Sequence, residues 1–473
     1  MFRKKLGLFL GPFLFVIVYL LEPFNGLNPA ANAVLASTLW VATWWLTEAL
    51  PISATALLPI VLLPLSQGAE IKQTTAAYGD KMLFLFVGGF IIAIAMQKWN
   101  LHKRIALAII SKIGTNANSI LLGFIMATGL LSMWISNTAT TLMMITIGGA
   151  LIKQMKDIDE SKGSQFFKPL LLGIAFSASI GGVATLVGTP TNPIFVAIAT
   201  NLYNEEFSFI SWMAFAFPFS LLMLFISWLV LGRVVFKTNL EKLPIGAGVI
   251  QKEIAKLGKM SYEEKAVGIV FMITAMLWIT RSFVLNQLIP GINDTVIAIA
   301  AALTMFIVPT KKDKRQALLT WKEAESLPWG VIILFGGGLS LAAAFQSSGL
   351  AEWLGNQLVS VAGLPLLVII IIIALSVNFL TEVASNVATA SIMLPVLASL
   401  ASAINIHPYL LMIPATMAAS CAFMLPIATA PNAIAFSAGE LEMKDMVRSG
   451  VWLNIISSLL ISLLVYFVLP YFL

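Results

Sequence analysis

The sequence predicts an all-α polytopic membrane protein with eleven transmembrane helices, two re-entrant hairpins and an inverted five-helix repeat. Three observations lead there. Of 473 residues, 59% are hydrophobic and only 11% charged. A water-soluble fold could not cover that much apolar surface, and many runs approach the roughly 20 apolar residues that cross a bilayer. The stretches SMWISNTAT (132–140) and TEVASNVAT (381–389) resemble each other; Ser136 and Ser385 are 249 positions apart, as are Gln97 and Gln346, each at the end of a Gly-containing apolar run. Each Ser-Asn pair also sits in the middle of a long apolar run, where polar side chains are costly. Alternating ten-residue patterns, the mark of an outer-membrane barrel, are absent.

Composition removes several function classes. Cys421 is the single cysteine, so neither an internal disulfide nor a cysteine metal cluster can form. Two imidazoles, His102 and His407, are too few for a histidine-rich site. The net charge of +6 and pI near 9.2 could suggest nucleic acid. The cations lie in loops between apolar runs, however, which is how membrane topology is encoded, and no nucleic-acid partner is expected.

The elements follow from the apolar runs and their punctuation. Span 1 is expected over about 6–22. It resembles a signal peptide with a cleavage-like Ala31-Asn32-Ala33, yet its apolar run is long for a signal core, so a retained helix is preferred. Spans 2 and 3, about 33–50 and 51–66, meet at Pro51. Span 4, about 82–98, runs into a basic amphipathic stretch to about 113 that suits the membrane interface. The run 119–152 is too long for one span. Split at Ser136-Asn137-Thr138, it gives two short arms of a re-entrant hairpin. Span 5, about 169–202, is broken at Gly188-Thr189-Pro190-Thr191-Asn192, where glycine and prolines free backbone carbonyls. Span 6 covers about 208–236, and a basic linker, 237–261, joins the halves.

The second half keeps the order. Span 7 is about 263–285, span 8 about 293–309 and span 9 about 328–347, followed by an amphipathic stretch, 349–361. A second hairpin, 364–402, carries Ser385-Asn386-Val387 at its tip. Span 10, about 407–440, is broken at 428–432, and span 11 covers about 445–470. The expected organisation is therefore an N-terminal helix in 1–32, a first repeat in 33–236, the linker, and a second repeat in 262–473.

Eleven spans put the chain ends on opposite sides. With the N-terminus cytoplasmic and the C-terminus outside, only Lys72, Lys81 and Arg281 of 28 Lys and Arg fall on or near the outer face. Five spans per repeat then force the repeats into opposite orientations. Inverted repeats with broken helices point to a ligand site where the halves meet.

That site holds no cation of its own. Helix N-termini aimed at its centre would attract an anion, while freed carbonyls and Asn oxygens would attract Na⁺. Each ligand would offset the other's desolvation.

The chain resembles the divalent-anion/sodium symporter family of di- and tricarboxylate carriers. The matching stretches are WLTEALPI (45–52), LLSMWISNTAT (130–140), SASIGGVATLVGTPTNPI (177–194), FLTEVASNVAT (379–389) and ASCAFMLPIATAPNAIAF (419–436). The resemblance implies eleven spans, two hairpins, a homodimer, and a transport domain that moves like an elevator against a scaffold. It implies a first sodium site at Ser132, Ser136, Asn137 and Gly188, and a second at Thr381, Ala384, Asn386 and Ala428. Substrate carboxylates would meet Ser136, Asn137, Thr138, Ser385, Asn386 and Thr429. Val387 takes the tip position where the family commonly has Thr, which removes one hydroxyl from the substrate side. Thr191 and Ala430 stand where prolines are frequent.

The expected function is Na⁺-driven import of C4-dicarboxylates such as succinate, malate or fumarate across the cytoplasmic membrane, with Na⁺ as coupling ion and no cofactor. A dicarboxylate exchanger, or a carrier of citrate or sulfate, would use the same fold. An enzyme is not expected, because no His/Asp/Ser cluster has protease spacing; two sealed tips suit a carrier better than a channel. The tip serines could instead cap hairpin arms. Glu48 suggests a salt bridge or a solvated helix end as readily as a proton relay, and Glu382 divides evenly between structural hydrogen bonding and ion coupling. Gly88-Gly89 and Gly336-Gly337-Gly338 read as close helix packing rather than phosphate loops. Trp44, Trp45 and Trp99 read as anchors or packing.

Overall fold

A computed structural model describes residues 2–21, 24, 26–114, 116–156, 160–203, 207–236, 246–311, 313–357, 363–439 and 441–471. Residues 237–245 of the expected linker and 358–361 of the second amphipathic stretch lie outside them. Among the described residues the chain is helical, apart from one isolated antiparallel bridge between Pro309 and Ala317.

The first helix, α1 (Phe2–Leu21), lies along α2 (Pro29–Thr47). Gly7 faces Thr47, and Gly11 faces Trp40 and Trp44, so closely that a Cβ at either glycine would overlap them. Asn32 donates to Val18 O at 2.8 Å, which builds the cleavage-like stretch into this contact. The expected third span is in fact two pieces, α3 (Ile52–Thr55) and α4 (Leu58–Leu65), followed by α5 (Ile71–Ala76). Pro51, Pro59 and Pro64 each lack an N–H, so no continuous ladder can run through 51–66. Asp80 caps α6 (Lys81–Lys98), accepting from Met82 N at 2.8 Å. Amphipathic α7 (Leu101–Ile113) buries Leu101, Ala106, Leu107 and Ile110 on one face.

The first hairpin is α8 (Ala117–Ser132) and α9 (Asn137–Lys156). Next come α10 (Glu160–Val183), α11 (Thr191–Tyr203) and α12 (Phe209–Leu229), the last ending in a π-helical turn at Val230–Val235. The described part of the linker forms α13 (Gly246–Leu257). It leads to α14 (Tyr262–Thr280), α15 (Asn286–Leu288), α16 (Asp294–Ile307), α17 (Trp321–Ala324), α18 (Trp329–Ser348) and α19 (Leu350–Gln357). The second hairpin is α20 (Leu366–Thr381) and α21 (Asn386–Ala403), followed by α22 (Tyr409–Ala418), α23 (Ala430–Ser437) and α24 (Met443–Phe467).

Eight described helices are long and apolar enough to cross a membrane. The first arm of each hairpin, α8 and α20, is among the shorter apolar helices, each 16 residues. The molecule is thus a multi-pass membrane protein in which the first arm of each hairpin is short for a bilayer, while the second arms, α9 and α21, have 20 and 18 residues and α21 is among the eight.

Glycines set the closest approaches. A Cβ on Gly88 of α6 would lie 2.7 Å from Ala298 of α16, and one on Gly337 of α18 would lie 2.5 Å from Ala56 O. Gly336 faces Tyr78 and Gly338 faces Ser391, so α18 is pressed between the α3–α5 region and the second hairpin. Close packing is what the glycine runs provide. The tryptophans are packed as anchors: Trp45 donates to Ile52 O and Trp99 to Leu318 O.

Candidate functional site

Each hairpin turns at its Ser-Asn pair, where one helix ends and the next begins. At the first tip α8 ends on Ser132 and α9 starts on Asn137; at the second, α20 ends on Thr381 and α21 starts on Asn386. The two tips share one hydrogen bond. The Asn137 amide lies 2.5 Å from Ser132 Oγ, and Thr381 Oγ1 donates to Asn386 Oδ1 at 2.7 Å. Ser385 occupies the N-cap position of α21 yet makes no side-chain cap bond, so its hydroxyl is free for other use.

The two broken helices answer the tips. The first is interrupted between Val183 and Thr191. The second unwinds from Ala419 to Thr429, so its break begins nine residues ahead of the expected 428–432. In both, an asparagine folds back on the break. Asn192 Nδ2 donates to Val183 O at 3.0 Å and Thr185 O at 2.7 Å. Asn432 Nδ2 donates to Ala422 O and Leu425 O, both at 3.1 Å. Thr191 and Ser420 join the two breaks through their hydroxyls at 2.7 Å.

The longer second break has an added support. The Glu382 carboxylate accepts from Phe423 N (2.7 Å), Met424 N (2.8 Å), Leu425 N (2.9 Å) and Asn454 Nδ2 (2.7 Å). These amides have no helical partner and would otherwise be buried unsatisfied. Of the two readings the sequence left open for Glu382, hydrogen bonding to structure is the one its contacts display.

Around these elements lies a cavity of about 350 Å³. It is lined by Ser136, Asn137, Thr138, Gly188, Ala384, Ser385, Asn386, Val387, Ala428 and Thr429, all expected from sequence. Ser132 and Thr381, the other two, stand behind the tips, bonded to the tip asparagines. Thr189 and Ser179 also line the cavity, as does Glu48, its one charged wall residue. Glu48 ends α2, and its carboxylate is 3.7 Å from Lys4 Nζ, in keeping with the expected salt bridge at a solvated end.

Charge in the cavity comes mainly from the backbone. Helices α9, α11, α21 and α23 all begin at residues on or next to its lining (Asn137, Thr191, Asn386 and Ala430). Their free N–H groups and aligned dipoles favour an anion. Thr429 Oγ1 accepts from Asn432 N at 3.2 Å as the N-cap of α23, which leaves its O–H to donate outward. Helices α8, α10, α20 and α22 end close by and supply the opposite pole.

Oxygens gather at that pole. The terminal amide of Asn137 has one position 3.2 Å from both Gly188 O and Ala178 O and 2.5 Å from Ser132 Oγ. Three acceptor-capable oxygens around that position assign the nitrogen to it, where its two N–H groups are shared among them; a cation at this place would instead need the amide rotated to present its oxygen. At the second tip Thr381 Oγ1 also lies 3.0 Å from Ala419 O, a carbonyl at the start of the second break. Among the described residues no group of three or more His, Cys, Asp or Glu could hold a transition metal.

The sequence placed Thr189 and Asn192 in the first break and Asn432 in the second without giving them a part in the site, and gave no part to Ala178 or Ala419. The signal for three of them was present: Thr189-Pro190-Thr191-Asn192 and Thr429-Ala430-Pro431-Asn432 align, so Thr189 is the counterpart of Thr429.

The sodium:sulfate symporter transmembrane region family matches residues 3–470. The chain belongs to that family. Members are transporters, which removes the enzyme alternative. Among its relatives is the sodium-dependent dicarboxylate transporter SdcS of Staphylococcus saprophyticus, 46% identical over 475 residues, covering 99% of this chain and 92% of that protein. The SdcS protein of Staphylococcus aureus is 48% identical, covering 99% and 91%. The fold is also similar to the crystal structure of the YdaH transporter of Alcanivorax borkumensis, with a TM-score of 0.61, 13% identity, and coverage of 92% of this chain and 98% of that one.

Proposed function

We propose that this family member imports C4-dicarboxylates such as succinate, malate or fumarate by Na⁺ symport across the cytoplasmic membrane. One observation carries the reading. Four helix N-termini begin at a single cavity whose lining contains no Lys or Arg, while Gly188 O, Ala178 O and Ser132 Oγ converge on the Asn137 amide beside it. Such a cavity suits a doubly charged anion only when small cations neutralise it. The 46–48% identity to sodium-dependent dicarboxylate transporters supports the choice of ligands.

In this reading the substrate carboxylates meet Ser136, Asn137, Thr138, Ser385, Asn386 and Thr429, with Val387 beside them. One Na⁺ is held by Ser132, Ser136, Asn137 and Gly188, and the other by Thr381, Ala384, Asn386 and Ala428. Na⁺ binding selects the oxygen-inward orientation of Asn137, so substrate and ion shape the same tip from opposite sides. The chain forms an inverted repeat after the first helix, with its N-terminus cytoplasmic and its C-terminus outside. It works as a homodimer in which the hairpins and broken helices move as an elevator. Glu48, Ile52, Pro328 and Val331 line the cavity at helix ends that the Lys/Arg distribution puts on the cytoplasmic side. The present state therefore faces inward.

Counterflow in proteoliposomes tests this. A panel of labelled succinate, malate, fumarate, citrate and sulfate should exchange with C4-dicarboxylates preferred and only with Na⁺ present. Preference for citrate or sulfate would reject the substrate assignment.

A further inference from the structure

We propose that Arg3 is a positioning residue for the second hairpin, holding its tip against α2 while the cavity is open to the cytoplasm. The inference rests on the alternating-access reading above. Arg3 Nη2 donates to Val383 O at 2.9 Å and also to Leu46 O. Both acceptors are carbonyls released where a helix stops. Leu46 lies in the last turn of α2, which Glu48 ends by adopting a left-handed φ of 50°. Val383 lies just past the end of α20, on the way to Ser385. Terminal carbonyls lack helical partners and carry the negative end of the helix dipole, so a guanidinium bridging two of them is favoured by both hydrogen bonding and charge.

The two acceptors belong to parts with different duties. Gly7 and Gly11 seat α1 in contact with Thr47, Trp40 and Trp44, so α1 and α2 form one unit. The second hairpin is a moving part. Arg3 therefore ties a stationary helix end to a travelling tip, and the tie exists only in a state where the two are adjacent. Lys4 stands beside it, 3.7 Å from Glu48, and keeps the one acidic wall residue of the cavity partnered at this mouth. Moving the hairpin towards the outer face must break the Val383 contact while leaving the Leu46 contact in place.

The test uses Val383→Cys as reporter. Val383 is 47% exposed and lines the cavity, whereas the native Cys421 is fully buried and silent. Its carbonyl, the group Arg3 holds, survives the substitution. In oriented proteoliposomes, a membrane-impermeant maleimide applied from the cytoplasmic side should label the cysteine. Adding Arg3→Gln should slow labelling by roughly threefold or more, the size expected for losing one charge-assisted hydrogen bond. Arg3→Lys, which still donates a charged bond, should recover most of the rate. Melting temperature is read for each variant; should Arg3→Gln melt early, Arg3→Met, which keeps the aliphatic stem, takes its place. Labelling that responds to Na⁺ with succinate but is equal for Arg, Gln and Lys at position 3 would overturn this inference alone. Labelling indifferent to Na⁺, to succinate and to every Arg3 variant would reject alternating access itself.

Discussion

At the scale of single residues, the tip asparagines do the most chemistry. Asn137 and Asn386 each begin a helix, are hydrogen-bonded to the hydroxyl of the preceding helix end and line the cavity. Replacing either with Ala should reduce uptake to background while the purified protein keeps its elution profile; wild-type rates in either variant would remove the site assignment. Glu382 has a different task. Glu382→Ala strands three backbone N–H groups and the Asn454 amide, and is expected to destabilise the protein by at least about 3 kcal/mol. Thermal unfolding in detergent measures this as a lowered melting temperature. The tips were legible because a polar pair inside an apolar run is rare and occurs twice. The role of Glu382 was not, because three of its partners are backbone groups 41 to 43 positions away, without a residue-type signature, and the fourth, Asn454, lies 72 positions away.

At the scale of elements, the hairpins and broken helices work as paired half-helices, each break offering N–H groups on one side and carbonyls on the other. The Gly and Pro spacing revealed where helices break but not how far they unwind. The second break is longer, and Glu382 satisfies its freed, buried amides, a contact that no local pattern encodes. The third span likewise showed its prolines without showing that they would divide it into α3 and α4. The linker helix α13 is fastened to α7 by the Lys103–Glu253 ion pair, and Lys256, on α13 itself, adds an i,i+3 pair to the same carboxylate. Lys103 Nζ is 2.9 Å from Glu253 Oε2, and Lys256 Nζ is 2.5 Å from Glu253 Oε1. The hydrogen bond from Lys256, then that from Lys103, holds the Glu253 carboxyl below the usual carboxylate range. A depressed carboxylate contributes stability above its unfolded pKa and loses it as pH falls through the folded value. The protection factors of the α13 amides, with the intrinsic pH dependence of exchange divided out, should thus be unchanged between about pH 8 and pH 5 and fall below about pH 4, whereas Glu253→Gln should show the lower protection at every pH. Equal exchange in wild type and variant would mean that α13 is held by other contacts.

At the scale of the whole molecule, α18 separates the region of α3–α5 from the second hairpin, with Gly336, Gly337 and Gly338 at its closest contacts to them. Gly337→Ala would place a methyl group 2.5 Å from a backbone oxygen that has little room to shift. The expected loss is about 1–3 kcal/mol, read as a lower melting temperature and reduced yield of folded protein. Wild-type stability would show that this contact yields easily. Packing of this kind was legible as a Gly-rich run in α6 and α18, but its partners were not, since they come from distant segments. The anion site is likewise a property of the whole: its charge comes from four helix ends spread over residues 137 to 430.

The most direct measurement is uptake of labelled succinate by the purified protein in proteoliposomes, with and without an inward Na⁺ gradient. Accumulation should follow the gradient and vanish when Na⁺ is replaced by K⁺. Uptake that ignores Na⁺ and requires only dicarboxylate inside would contradict symport and leave the helix ends to hold their anion unaided.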